Sequence, residues 1–206
     1  MTFVKRIKSK IGCSLHPHLK KDAWFVFEQV LSEWPLNSAS KLEVNSGLVT
    51  RDDFLKHAQR FKEIVPSADV RFASGDLCFG ALIDGKYVHL KWVGFSRWYD
   101  ADTGRYIQLG SDSAYVYDGY TLPEYRGLGL TSVVLDKTFQ YLSKIGIRKA
   151  YSLIDHNNSA SLRVKSKENA HKIGIVTFIR IFGLKFLRLN GETKEDHKKL
   201  IAMFSA

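Results

Sequence analysis

Acidic residues are scarce in this chain of 206 residues: Asp and Glu total 21 against 31 Lys and Arg, a formal net charge of +10. The first 21 residues contain none and carry Lys5, Arg6, Lys8, Lys10, Lys20 and Lys21. Such a zone attracts polyanions, so nucleic acid, anionic lipid and phosphorylated ligands are the partners to weigh. Cysteine is nearly absent. Cys13 and Cys78 stand apart from any cluster with ligand spacing, so neither a zinc site nor a disulfide framework is expected, and no metal is assigned. No apolar run approaches the roughly 20 residues of a membrane span, and the basic start lacks the long apolar stretch and cleavage site of a secretory signal. A cytoplasmic protein is expected. The basic start is a solvated tail or, as the alternative, a segment that docks on a membrane surface. The chain has no internal repeat and no low-complexity segment. Composition is otherwise ordinary, 45% hydrophobic and 25% charged, and the length suits one domain with a real core.

Apolar periodicity places the elements. Residues 23–31 are apolar and aromatic, and their front half reads as a strand, a short helix being the alternative. Residues 42–49 alternate as a strand does. Thr50 or Asp52 caps a helix from Asp53, with Phe54, Leu55, Ala58, Phe61 and Ile64 at helical spacing. Residues 70–95 read as strands with a hairpin turn at Asp84-Gly85, and 97–106 as a loop or irregular hairpin. Leu128, Leu135, Phe139 and Leu142 mark one face of a helix that runs to about Lys144. A strand at 150–154 and a helix from Ser159 to about Ala170 follow. Residues 175–182 and 185–189 read as a strand pair turning at Gly183, and 192–204 as a charged surface helix.

The most specific stretch is Thr121-Leu122-Pro123-Glu124-Tyr125-Arg126-Gly127-Leu128-Gly129-Leu130-Thr131, between the β-like run 114–120 and the long helix. A strand that turns through two glycines into a helix N-terminus aims several unpaired N–H groups at one point and favours an anion there. The bland reading of Gly-x-Gly is a tight strand-to-helix turn. Here Arg126-Gly127-Leu128-Gly129-Leu130-Thr131 resembles the pyrophosphate loop of the GNAT superfamily, the acetyl-CoA-dependent N-acetyltransferases, with Thr131 where the family has a smaller residue. Asn158 to Ser161, some thirty residues on, is similar to the family's second signature, Asn-x-x-Ser before a helix. The resemblance covers about 42–189.

That resemblance implies an α+β fold: a mostly antiparallel central sheet with helices on both faces and splayed strands that form the acyl-CoA site. It implies a single domain over 23–206 behind a basic segment, 1–22, with the first forty and last fifteen residues outside the common core. The reaction implied is transfer of an acetyl or other acyl group from CoA to a primary amine by direct attack on the thioester. Backbone N–H groups of Gly127, Leu128, Gly129, Leu130 and Thr131 would hold the pyrophosphate, with Arg126 adding charge. Tyr120, Thr121 and Leu122 would offer a strand edge to the peptide-like pantetheine arm, and Gly119 would let that arm pack close. Asn158 would bond cofactor or backbone.

Proton chemistry is less legible. Asp118, before the loop, is the candidate base, with a structural role bonding loop N–H groups as the equal alternative. His156 reads as loop chemistry before a base. The family's thiolate acid is often a Tyr on the helix after the second signature; the matching position is Lys165, read as a solvated surface lysine. Trp98, Tyr115 and Tyr117 line an acceptor pocket or pack in the core. The acceptor expected is a small amine or amino sugar, and a homodimer is allowed for. A catalytically degenerate acyl-CoA-binding domain is the rival within the fold. A nucleic-acid or membrane-surface module is the rival outside it, but nucleic acid is not expected because the aromatics alternate as core residues do instead of clustering with Lys and Arg.

Overall fold

The computed structural model describes residues 19–35, 42–57, 61, 68–100, 105–182 and 184–205. Ten strands occur among them: β1 Leu19–Val30, β2 Asn45–Val49, β3 Leu77–Ile83, β4 Lys86–Phe95, β5 Arg97–Asp100, β6 Arg105–Gln108, β7 Ser113–Thr121, β8 Lys149–Asp155, β9 His171–Ile181 and β10 Leu184–Gly191. The helices are α1 Arg51–His57, α2 Ala68–Ala73, α3 Leu130–Lys144, α4 Ser159–Lys167 and α5 Lys194–Phe204. Eight strands form one sheet in the order β10-β9-β1-β8-β7-β4-β3-β2, and β5 with β6 form a separate hairpin. Every pairing in the large sheet is antiparallel except β7 with β8.

Helices cover both faces. Cys78 and Trp92 face each other across β3 and β4, as do Phe79 and Lys91, so Trp92 and Phe79 point to opposite sides. Phe54 of α1 and Phe72 of α2 meet Trp92 edge-on, while Tyr141 of α3 meets Phe79. The β3–β4 turn at Asp84-Gly85 forms as expected, with positive φ at both residues (48° and 70°).

One expectation about the elements is corrected. Residues 70–73 are helical, inside α2, and the strands begin only at Leu77. Ahead of residue 42, β1 lies between β8 and β9, and its Leu19–Val30 span takes in the end of the basic segment. Both faces of β1 are covered, so Val26, Phe27, Glu28 and Gln29 are all buried. The last fifteen residues also join the core, since Leu200, Met203 and Phe204 of α5 are buried beneath a Thr193 N-cap. Helix α1 is described over Arg51–His57; Ala58 and Ile64 lie outside the described residues, as do Cys13 and Gly183, whereas Phe61 is buried.

A buried acid ties β1 to its neighbours. Glu28 accepts from the Tyr151 hydroxyl at 2.6 Å and from Lys199 Nζ at 3.2 Å, with Lys149 Nζ at 3.5 Å. Burial alone would raise its carboxyl, but the Tyr151 and Lys199 bonds outweigh it and hold the group below its usual range. A carboxyl lowered by folding lends stability above its ordinary range, and that stability is lost as pH falls through the lowered value. Glu28→Gln is therefore expected to cost about 2 kcal/mol at neutral pH and far less in acid, read from denaturant midpoints at both.

Candidate active site

Strands β7 and β8 run together only from Ser113 opposite Lys149 to Tyr115 opposite Tyr151. Beyond that β8 follows β1, as far as Trp24 opposite Asp155, while β7 follows β4 to Thr121 opposite His89. A gap opens between them. At the same level β7 bulges against β4: Leu90 faces Tyr120 and Trp92 faces Tyr117, so Lys91 stands opposite both Asp118 and Gly119. Asp118 takes a positive φ of 40° to make the bulge. The Lys91 side chain lies over Gly119, where a Cβ would come within 2.8 Å of Nζ and 2.9 Å of Cδ. Glycine at 119 thus makes room for Lys91, not for an arm lying against that face.

Two clefts meet at this gap. The first, of about 430 Å³, is bounded by His89, Lys91, Thr121, Arg126, Thr131 and Lys165, among others. Gly127 and Thr131 line it on either side of the α3 start, where the N-cap Gly129 has a φ of 83° that only glycine takes readily, with no side-chain cap and no acid in the first turn. Gly127 precedes it at φ 75°. The Leu130 side chain is buried in the core and Leu128 packs against it. The Leu122 N–H, expected to serve an arm, donates instead to the Val88 carbonyl at 3.0 Å. By strand alternation the Thr121 N–H faces the gap. Arg126 folds back, donating Nε to the Thr121 carbonyl at 3.2 Å with its guanidinium over the Tyr120 ring. Asn158 caps α4 by accepting from the Ser161 N–H at 3.0 Å.

The second cleft, of about 400 Å³, is bounded by Asp22, Trp24, Trp98, Tyr117, Asp118 and Asp155, among others, with Lys91, Gly119, Ile154, Asn158 and Ser161 shared by both. Trp98 packs on Tyr115 and Tyr117 with ring centroids 4.5 Å apart in each case. Tyr117 donates its hydroxyl to Asp76, which fixes that ring. Asp118 accepts from Arg71 Nη2 at 2.6 Å. Asp155 accepts from the Asn157 N–H and lies 3.5 Å from His156 Nδ1. The His156 ring nitrogen also sits 3.0 Å from the Ala23 carbonyl, which is loop chemistry as expected.

Among the described residues Lys91 is the one titratable side chain that lines both clefts. It makes no hydrogen bond and no ion pair among them. Loss of water and the neighbouring Lys165 charge push its ammonium down to about 8, against the pull of Glu168 and Asp118. His89 is buried, holds Thr121 Oγ1 at 2.7 Å through Nδ1, and is pushed by burial to about 3, so it stays neutral. Its Nε2 is buried without a partner on the wall of the first cleft. Lys165 departs from expectation: it is buried and paired with Glu168 at 2.9 Å. Cys78 is a buried strand thiol, raised to about 12 by burial.

Lys91, Asp22 and Trp24 are not among the residues singled out from sequence. Lys91 had a signal, a lone ammonium inside the run Val88-His89-Leu90-Lys91-Trp92-Val93. Asp22 and Trp24 had none, because β1 reaches the gap through long-range pairing.

A model of the Acetyltransferase (GNAT) family matches residues 48–165, more than half of the chain. No curated protein matches the sequence at a significant level. A GNAT-family protein from Novosphingobium aromaticivorans DSM 12444 superposes with a TM-score of 0.53 at 15% identity, over 86% of this chain and 69% of that one. A conserved protein from Staphylococcus epidermidis ATCC 12228 gives 0.55 at 10% identity, over 87% and 68%. The glucosamine N-acetyltransferase region of a fungal multi-domain β-N-acetylglucosaminidase gives 0.56 at 13% identity, over 88% of this chain and 23% of that one. Likeness at such identities is likeness of fold. The family match itself runs from β2 through the strands that part at the gap to α4, and it makes this chain a member of the GNAT acetyltransferase family.

Proposed function

We propose that this protein is an acyl-CoA-dependent N-acyltransferase that acetylates a primary amine of a small acceptor by direct attack. The observation that carries the reading is the gap between β7 and β8, which joins an uncapped helix N-terminus on one side to an acidic, aromatic cleft on the other. The residues present fit acyl-CoA. The N–H groups at 127–131 suit a pyrophosphate, with Arg126 beside them. The Thr121 N–H and the unpaired His89 Nε2 suit a peptide-like arm. Acyl-CoA, when bound, supplies an activated acyl carbon whose carbon–sulfur bond breaks as the carbon–nitrogen bond forms, with the electron pair leaving on sulfur.

The chain's own groups then bind and move the proton. An amine arrives as an ammonium, and Asp22, Asp118 and Asp155 on the second cleft attract it. Asp118 is tied to Arg71 and orients the ammonium. The ammonium first loses one proton to solvent, which frees the lone pair for attack. Lys91, neutral in part near its value of about 8, then takes the second proton from the attacking nitrogen at Nζ and returns it to the sulfur. One lysine at the junction serves as base and then as acid. That removes the need for a Tyr at 165, where Lys165 is locked to Glu168.

The test is thiol release from acetyl-CoA with a panel of primary amines. Release that saturates with at least one amine, together with a mass gain of one acetyl on that amine, is expected. Bound acetyl-CoA with no amine-stimulated release across the panel would leave the degenerate, binding-only domain instead.

A further inference from the structure

Lys91 is itself a primary amine, and it stands where the proposed function places the reacting carbon. Its Nζ lies over Gly119 in the bulge, at the junction of the two clefts, without a hydrogen bond among the described residues. The titratable and charged groups that face it come from several elements: the neutral His89 on its own strand, Asp118 on β7, Lys165 on α4 and Glu168 just past its end, and Asp22 and Asp155 across the second cleft. None of them clamps it in an ion pair within 4.0 Å, in contrast to Lys165, which Glu168 holds at 2.9 Å. An amine placed to take a proton at the reacting nitrogen is equally placed to attack the same carbon when that nitrogen is missing.

We propose that, when acyl-CoA is bound and the acceptor cleft is empty, Lys91 acylates itself and thereby closes the site. This rests on the acyltransferase reading. The neutral Nζ bonds to the acyl carbon, the carbon–sulfur bond breaks with its electron pair on sulfur, and the proton lost by Nζ goes to that sulfur. The products are an amide at Lys91 and the free thiol of CoA, with no other reactant. The amide no longer titrates and adds a methyl and a carbonyl over Gly119, so both the proton route and the mouth between the clefts are lost. The neutral fraction of Lys91 is already substantial near pH 8, unlike that of an ordinary lysine held near 10.5. An acceptor that occupies the second cleft takes the acyl group first. The protein would then be active while amine is in supply and shut down when acyl-CoA is abundant and amine is not.

The experiment incubates the full chain with acetyl-CoA alone, and with acetyl-CoA plus an amine that it acetylates, then locates acetyl groups by peptide mass. With acetyl-CoA alone, Lys91 is expected to be acetylated to near completion, at a rate that saturates with acetyl-CoA, while Lys165 and Lys199 stay unmodified. Amine present throughout is expected to slow modification at least tenfold. Thiol-release activity is expected to fall in step with acetylation. Lys91→Arg, which keeps a cation of similar length, is expected to show no acetyl group in that peptide. Binding of acetyl-CoA and turnover of an amine with Lys91 unmodified would overturn this proposal and leave the acyltransferase reading standing. Acetylation of Lys91 at the same rate as exposed lysines, unsaturable and unprotected by amine, would overturn it as mere chemical acetylation. Absence of acetyl-CoA binding would overturn both readings.

Discussion

Replacing Lys91 by methionine is expected to lower kcat by about 10²- to 10⁴-fold, the range of a lost general acid–base group, while acetyl-CoA affinity changes little. Methionine keeps the length that lies over Gly119 and deletes the ammonium. In the wild type, the neutral lysine is the form that accepts the proton. Activity should therefore rise about tenfold per pH unit below about 8 and level off above it. In Lys91→Met and in Lys91→Arg that inflection should vanish, because neither side chain titrates in the range. Stability changes in a higher pH window than activity does. Folding lowers this ammonium from its ordinary 10.5 to about 8, so the charged form is disfavoured in the fold. Its cost is present in full below about 8 and is relieved as pH rises toward the ordinary lysine range. The methionine variant should unfold no earlier than wild type at pH 7, which separates lost chemistry from lost structure. A Lys91→Met protein that retains most of kcat with the same inflection would show that the proton travels by another route.

The second large effect concerns the loop. Gly127 has a φ of 75° and nothing within 4 Å of where a Cβ would stand. Aspartate and asparagine tolerate that backbone better than other side chains, so either should fold there. They differ by a charge placed beside the N–H groups of the α3 start. One like-charge contact near a protein surface is worth about 1 to 4 kcal/mol, so Gly127→Asp should weaken acetyl-CoA binding by about 10²-fold. Gly127→Asn should weaken it by no more than about fivefold, with the same melting temperature as the Asp variant. Titration calorimetry on the pair reads this directly. Equal losses would point to backbone strain, and no loss in either would move the pyrophosphate elsewhere.

The parts legible in the sequence are those set by local chemistry. The turn at Asp84-Gly85 and the run from strand through Arg126-Gly127-Leu128-Gly129 into α3 each follow from a few adjacent residues. The rest was hidden for a common reason. The place of β1 is decided by pairing with β8 and β9, more than a hundred residues away, so its basic start looked like a tail although Trp24 faces the gap. Residues 70–73 contain Val and Phe, which favour strands in isolation, yet they form α2 and place Phe72 against Trp92. Lys165 occupies an exposed-looking position in a basic stretch, and only Glu168 three residues on, folded to the same side, shows why it is buried. Lys91 could be noticed in its apolar run. Its role could not, because the bulge that sets it opposite two residues is a mismatch between β4 and β7, not a property of either strand.

The claim that the gap between β7 and β8 receives acyl-CoA is tested most directly by recording backbone amide resonances of the isotope-labelled protein as acetyl-CoA is added. The largest shifts should fall on Thr121, on residues 127–131 and on Asn158 to Ser161, with the His89 ring nitrogen responding as its Nε2 gains a partner. Shifts confined to other surfaces, such as the β9–β10 hairpin, or no shifts under saturating acetyl-CoA, would contradict it.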